Sequence, residues 1–176
     1  FKTKAGRTVY DGGGVLPDME IEETKMATIT DAVVKTDAIF NFATQWYYKN
    51  PTVSGIPTIS DADFIAFKTF LKQEKISLDT ETNKALKNVL ETAKKEKIDT
   101  QITNEYKQLE LAIEKNQEME LDKNKNQIKK LIQEDLITRY QYREGLYQFY
   151  TKENLEIEKA IALLNNQTQY KSILKK

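Results

Sequence analysis

The sequence predicts a mainly α-helical protein with a short β portion at its N-terminus. Apolar residues recur at the helical period of about 3.6 residues from Thr28 onward. Residues 1–21 instead hold short alternating runs interrupted by glycine and proline. Charged residues make up 31% of the 176 residues and hydrophobic ones 39%, which is typical of a helix-rich chain with a core. We therefore expect an α+β protein, with strands within residues 1–27 and a bundle-like helical domain over residues 28–176.

The predicted β portion is a hairpin followed by one further strand. Phe1–Lys4 alternates apolar and polar residues, Ala5-Gly6 occupies the turn, and Thr8–Tyr10 forms the return strand. Gly12–Gly14 then allow a left-handed backbone or a close approach, before the third strand, Val15–Ile21. The same three glycines lack the spacing, the lysine and the following helix of a phosphate-binding loop.

The first helix is predicted to begin at Thr28, with Asp31 as its capping partner, and to end at Asn50-Pro51. Its C-terminal end is rich in aromatic residues, which would suit either a peptide-binding surface or a core. The helical spacing favours the core. These residues are Phe40, Phe42, Trp46, Tyr47 and Tyr48.

Residues 50–59 form a predicted loop, after which Ser60 and Asp63 are expected to cap a second helix. Its aromatic face should pack against the first helix. Asp61 and Asp63 are paired carboxylates, a pattern that acid–base catalysis also uses. At a helix N-terminus, however, they favour interaction with the macrodipole.

A third helix should start near Asp79-Thr80, and a long helical stretch from Thr100 should break between Asp122 and Asn126, where helix propensity is low. Thr151 is the expected cap of a last helix that ends at Asn165-Asn166. Lys94, Lys95 and Lys97 suit the C-terminal dipole of the third helix better than a nucleic-acid patch, because acidic residues interrupt them.

One further segment mixes basic and aromatic side chains, as single-stranded nucleic-acid sites do. Glu144 and the absence of net charge argue against that function, and Gly145 favours a close helix approach or a small break. The segment comprises Arg139, Tyr140, Tyr142, Arg143, Tyr147, Phe149 and Tyr150.

Composition excludes several kinds of site. Histidine and cysteine are both absent, so the chain has no Ser-His-Asp triad, no Cys-His pair, no zinc site of the usual ligands and no disulfide. The 27 basic and 27 acidic residues cancel, so no overall field attracts nucleic acid. No apolar run approaches the length of a membrane span.

No catalytic, cofactor-binding or metal-binding residue is assigned, and no cofactor is expected. The serines Ser54, Ser60, Ser77 and Ser172 do not lie in small-residue turns that would expose and activate a hydroxyl. Ser172 and Lys176 have a four-residue spacing, which two solvent-facing residues at a terminus match by chance.

The glycine-rich segment resembles a known family. Gly6-Arg7, Val9–Gly14, the aliphatic Val15 and Pro17-Asp18 are similar to the segment that follows the catalytic motifs of the C-terminal processing, or tail-specific, peptidases of the long bacterial envelope type. Val15 replaces the usual isoleucine. The helical remainder is similar in order and character, including the stretches Ile59–Phe64, Asp79–Thr82 and Thr138–Tyr140.

This resemblance implies a parent serine endopeptidase with a PDZ domain and a Ser-Lys dyad, both upstream of this chain, that cuts proteins near their C-termini in the periplasm or cell envelope. Because the chain begins with Phe1 and not methionine, we expect a fragment or a processed chain, inactive by itself. Its expected partners are the remainder of the parent polypeptide, the parent's protein substrates, and another copy through exposed β edges.

A second hypothesis is a non-enzymatic helical interaction module that binds other proteins through exposed faces of residues 100–150. The glycine-rich motif favours the peptidase hypothesis. A parent reading frame without a PDZ-like region, a serine and a lysine would favour the interaction module.

Overall fold

The computed structural model describes residues 1–4, 6, 8–12, 17–21 and 25–174. The predicted mainly helical class is confirmed, since eight helices account for most of these residues. They are α1 (Thr28–Val34), α2 (Ala38–Lys49), α3 (Asp61–Gln73), α4 (Glu81–Glu96), α5 (Thr103–Lys123), α6 (Lys125–Glu153), α7 (Leu155–Asn165) and α8 (Gln167–Leu174).

The predicted N-terminal β portion is not supported, because the described part of residues 1–27 contains no strand. Lys2 and Thr8 form one isolated antiparallel bridge, flanked by reciprocal hydrogen bonds between Phe1 and Val9 of 2.8 and 2.9 Å. All described residues up to Glu20 are exposed, so the alternating pattern buries no face. A two-stranded hairpin without such packing is marginal at best. Ala5 of the predicted turn, Arg7 of the motif and residues 13–16, which include the start of the predicted third strand, lie outside the described residues.

The chain divides into two compact units, one of residues 1–24 with 146–176 and the other of residues 25–145. The second unit contains α1 to α5 and the first part of α6, and most of the buried apolar side chains belong to it. The functional assignment of residues 1–27 and 28–176 stays a prediction.

The predicted first helix is two helices. The break lies at Thr36, whose hydroxyl donates to the Val33 carbonyl at 2.7 Å and accepts from the Ala38 amide at 3.2 Å. One side chain thus satisfies backbone groups of both α1 and α2, an alternative to continuous helix that threonine offers. The expected Thr28–Asp31 cap is also wrong, since Ala27 occupies the N-cap position and no side chain caps it.

The cap of α3 is confirmed. Ser60 and Asp63 form a reciprocal capping box, with the Ser60 amide donating to Asp63 at 2.8 Å and the Asp63 amide donating to Ser60 at 3.1 Å. The expected packing of α3 on α2 is confirmed as well. The Phe42 ring of α2 lies 5.2 Å from that of Phe67 and 5.8 Å from that of Phe70, and such offset aromatic pairs add to the burial energy.

α4 begins next to Asp79-Thr80, as predicted, and Thr80 caps it by accepting from the Asn83 amide. The break between α5 and α6 falls at Asn124, inside the predicted interval. After it, the buried side chains of Ile128, Ile132 and Leu136 face the core. The apolar stripe therefore resumes on α6 where the sequence places it.

The last helices differ from prediction at their starts. Asn154, not Thr151, caps α7 by accepting from the Ile157 amide at 2.9 Å, while α7 ends at Asn165 as expected. Neither α7 nor α8 contains a buried residue. In the described part of the chain, no helix combines the length and the apolarity needed to cross a bilayer.

Candidate functional site

A groove of about 600 Å³ lies between α3, α4 and α5, within residues 25–145. We call it the α3–α5 groove. The segment Lys75–Leu78, which links α3 to α4, lies along it. Its apolar side chains come from all three helices and the linking segment. They are Leu71, Ile76, Leu78, Leu86, Ile113 and Leu121.

Lysines line one side of the groove and glutamates line the other. Lys68 and Lys72 of α3 pair at 2.5 Å with Asp122 and Glu118 of α5, respectively. The hydrogen bond from Lys72 holds the pKa of Glu118 below its ordinary value. Glu110 and Glu114, further along α5, form no ion pair with the described residues. Their carboxylates are therefore available to a bound molecule.

A Ser-Asp-Lys cluster lies in the linking segment and α4. The Ser77 hydroxyl donates to Oδ1 of Asp79 at 3.0 Å, and Nζ of Lys87 donates to the same oxygen at 2.7 Å. These hydrogen bonds, first that from Lys87 and then that from Ser77, hold the pKa of Asp79 below its ordinary value. A carboxylate with a lowered pKa is a weak base. The cluster therefore orders the start of α4, and it does not activate the Ser77 hydroxyl.

Gln117 fixes the position of α5 relative to the linking segment. Its Nε2 donates to the Leu78 carbonyl at 3.1 Å and to Oδ1 of Asn83 at 2.6 Å. No sequence pattern places Gln117 on a common surface with Ser77 and Lys87. The contacts of Gln117 join residues 34 or 39 positions apart, which local patterns do not reveal.

The paired carboxylates of Asp61 and Asp63 have structural roles. Asp61 pairs with Lys129 at 3.0 Å and with Lys125 at 3.1 Å, and these hydrogen bonds lower its pKa. Asp63 caps α3 and accepts from Nε1 of Trp46 at 2.9 Å. Burial raises the pKa of Asp63, but the hydrogen bonds from Ser60 and Trp46 outweigh it and lower the pKa overall. Neither carboxylate has the raised pKa of a general acid.

The other residues that the sequence offered as site candidates do not line the groove. Ser172 donates back to the Gln169 carbonyl at 2.8 Å, and Lys176 lies outside the described residues. The aromatic residues at the end of α2 differ in burial, since Phe42 is buried whereas Phe40 and Tyr48 are exposed. Among the described residues, no group of acidic side chains is placed to hold a metal ion.

The described part of the chain is thus mainly α-helical, with a groove lined by apolar and charged side chains between α3, α4 and α5. A family model described as "Probable PDZ-protease, C-terminal helical domain" matches residues 29–164. The match covers most of the chain, so the chain belongs to this family and is related to a protease parent. No curated protein and no solved structure matches the chain.

Proposed function

We propose that this chain is the C-terminal segment of a bacterial tail-specific serine endopeptidase, and that its helical domain is structural or regulatory, not catalytic. The observation that carries the proposal is the motif from Gly6-Arg7 to Pro17-Asp18, which resembles the long envelope members, in a chain whose helices belong to a PDZ-protease family. The Ser-Lys dyad and the PDZ domain belong to the parent polypeptide upstream.

In this proposal residues 1–27 complete the protease core of the parent, and residues 28–176 buttress that core or shape substrate access. The α3–α5 groove supports a role in access, because it combines apolar side chains with carboxylates that have no ion-pair partner. Unstructured polypeptide segments bind such mixed surfaces. The partners are the remainder of the parent, its protein substrates and a second copy through the N-terminal backbone edges, and the location is the periplasm or cell envelope.

The catalytic part of the proposal is tested in the parent polypeptide with an unstructured peptide that has an apolar C-terminus. The parent should cleave this peptide near its C-terminus, and replacing either the candidate serine or the candidate lysine should abolish turnover. Cleavage that survives both replacements would refute the Ser-Lys dyad. Mass spectrometry of the products gives the cleavage position.

The role of the groove is tested by reversing its free charges in the same parent. Glu110→Lys with Glu114→Lys should change the KM for a protein substrate severalfold and leave kcat nearly unchanged, because charges at the edge of a binding surface act mainly on association. Glu91→Lys with Glu96→Lys, two exposed reversals on α4 outside the groove, is the matched control. Equal KM values for all three proteins would assign the helical domain a buttressing role only.

A further inference from the structure

An acidic stripe runs along α5 beside the α3–α5 groove. Its members, Glu110, Glu114, Glu118 and Asp122, follow one another at intervals of four residues, so they lie on successive turns of one helix face. Like charges at this spacing destabilise a helix. The acidic stripe is therefore stabilised by any cation that pairs with its members.

Helix α3 supplies cations to half of this acidic stripe. Lys68 pairs with Asp122 and Lys72 with Glu118, each at 2.5 Å. Both helices advance by one turn between these two pairs, in opposite directions. A third pair of the same kind would need a lysine beyond Gln73, where α3 ends. The compensation by α3 therefore stops after two of the four carboxylates.

The groove keeps a net negative charge as a result. Glu110 and Glu114 are exposed and form no ion pair with the described residues. Among the lysines that line the groove, Lys75 alone forms no ion pair within the described part of the chain. Two free carboxylates against one free ammonium leave one uncompensated negative charge on the α5 side. A ligand with positively charged groups therefore complements the groove.

Tyr106 narrows the kind of cation. It lies one turn before Glu110 on α5, lines the same groove and is partly buried. A guanidinium group bonds a carboxylate through two parallel N–H donors and also stacks on an aromatic ring, whereas an ammonium is a compact point charge. In the described part of the chain, no group of three acidic side chains is placed to hold a metal ion. The residues therefore favour arginine.

The apolar lining adds a second requirement. Ile76 and Ile113 are partly exposed in the groove, and the buried side chains of Leu71, Leu78 and Leu86 also line it. A volume of about 600 Å³ lies within the usual range of ligand sites. An arginine side chain alone would leave the apolar surface in contact with water, so apolar groups beside it add to binding.

The spacing of the two free carboxylates fits an extended polypeptide. Residues four apart in an α-helix are separated by about 6 Å along the axis, at about 1.5 Å per residue. Residues two apart in an extended chain are separated by about 6.6 Å. Two arginines with one apolar residue between them therefore match the separation of Glu110 and Glu114.

We propose that the α3–α5 groove binds an extended segment of a protein substrate in which arginine alternates with apolar residues. Glu110 and Glu114 accept the guanidinium groups, and Tyr106 contributes its ring. The inference rests on the proposed function for the origin of the segment, a substrate of the parent peptidase. The binding chemistry belongs to this chain and is measured on it directly.

Fluorescence anisotropy of labelled peptides tests the proposal. The probe has the sequence Ser-Gly-Leu-Arg-Ile-Arg-Leu-Gly-Ser, and a matched peptide has glutamate in place of both arginines. This chain should bind the arginine peptide about tenfold or more tightly than the glutamate peptide. Raising the salt concentration should reduce that preference, because the charges are exposed. Equal affinities, or no binding of either peptide, would overturn the proposal.

Charge reversal locates the binding surface. Glu110→Lys with Glu114→Lys should reverse the preference, so that the glutamate peptide binds more tightly. Glu91→Lys with Glu96→Lys makes the same change of net charge outside the groove and should leave the preference nearly unchanged. Equal effects of the two double substitutions would overturn the proposal, because the peptides would then respond to net charge alone.

Circular dichroism checks that each variant is folded. If Glu110→Lys with Glu114→Lys does not fold, Glu110→Gln with Glu114→Gln decides, since it removes both charges and keeps the size of both side chains. This variant should bind the two peptides with affinities within about twofold of each other, because the charge complementarity is gone. A preference for arginine that survives in it would overturn the proposal.

The role of the Tyr106 ring has its own pair of variants. Tyr106→Leu should weaken binding of the arginine peptide about threefold, because the interaction of the cation with the ring is lost. Tyr106→Phe keeps the ring and should bind as the unsubstituted chain does. Equal affinities of the two variants would contradict the part assigned to Tyr106.

This inference and the proposed function fail separately. Arginine-selective binding by this chain, together with no cleavage by the parent, would support the groove and refute the peptidase. Cleavage by the parent, together with no selective binding by this chain, would refute the groove and support the peptidase.

Discussion

Thr30 is a polar residue that the fold buries completely. It lies in α1 with no solvent exposure, and its hydroxyl has no hydrogen-bond partner. A buried hydroxyl without a partner costs the free energy of its desolvation. Valine has nearly the same shape without this oxygen, so Thr30→Val should raise the free energy of unfolding by about 1 kcal/mol. Urea denaturation of the two chains measures the difference.

Thr30→Ser is the matched control for this substitution. Serine keeps the unpaired hydroxyl and removes a buried methyl group, so it should lower the free energy of unfolding by about 0.8 kcal/mol. A valine variant that is less stable than the threonine chain would show that the hydroxyl has a partner, such as a buried water.

The Asp63 cap gives a pH prediction. Its pKa is lower in the folded chain than the ordinary value of 3.8. Well above pH 3.8 the carboxyl is ionised in both states, and its contribution to stability is fully present. As the pH falls below 3.8 the unfolded chain takes up the proton first, so the contribution disappears as the pH passes through the folded pKa.

Asp63→Asn cannot titrate but keeps an acceptor oxygen for Ser60 or Trp46. Between pH 4 and pH 2.5 the variant should therefore lose less stability than the unsubstituted chain, as measured by urea denaturation at each pH. Parallel losses in the two chains would mean that other carboxylates, such as Asp61, account for the whole acid sensitivity.

At the level of elements, the starts of α3 and α4 were predictable, and their ends were not. Ser60 carries the side-chain chemistry of an N-cap and was recognised from it, and the start of α4 was placed near Asp79-Thr80, where Thr80 is the N-cap. The ends of α3 and α4 are left-handed residues, but both are lysines, Lys75 and Lys97, in place of the usual glycine. Likewise, the sequence favours a close helix approach or a small break at Gly145, whereas the backbone leaves the helical conformation at Tyr142.

The unusual end of α4 leads to a stability prediction. Lys97 has φ 61°, and the following Ile98 amide bonds to the Ala93 carbonyl at 3.0 Å. Because glycine pays no steric cost in this conformation, Lys97→Gly should stabilise the chain by about 0.5–1 kcal/mol. Lys95→Gly, two residues earlier in regular helix, should destabilise it by about the same amount. Thermal unfolding compares both variants, and destabilisation by both would contradict the left-handed end.

At the scale of the whole molecule, the sequence predicted the helical class because the apolar period is sustained over many turns. The prediction of a β portion was not supported, because alternation of apolar and polar residues alone does not form a sheet. The described residues around Lys2 and Thr8 are exposed, so no other element packs on them. The α3–α5 groove could not be predicted, since it depends on contacts between α3 and α5 across long sequence separations, such as Lys68 with Asp122.

The most direct test of the account compares this chain alone with the parent polypeptide that contains it, using an unstructured peptide with an apolar C-terminus. The account predicts cleavage by the parent and none by this chain, because the proposed Ser-Lys dyad lies upstream in the parent polypeptide. Turnover by this chain itself, or no turnover by a folded parent, would contradict the proposal of a non-catalytic domain in a tail-specific peptidase.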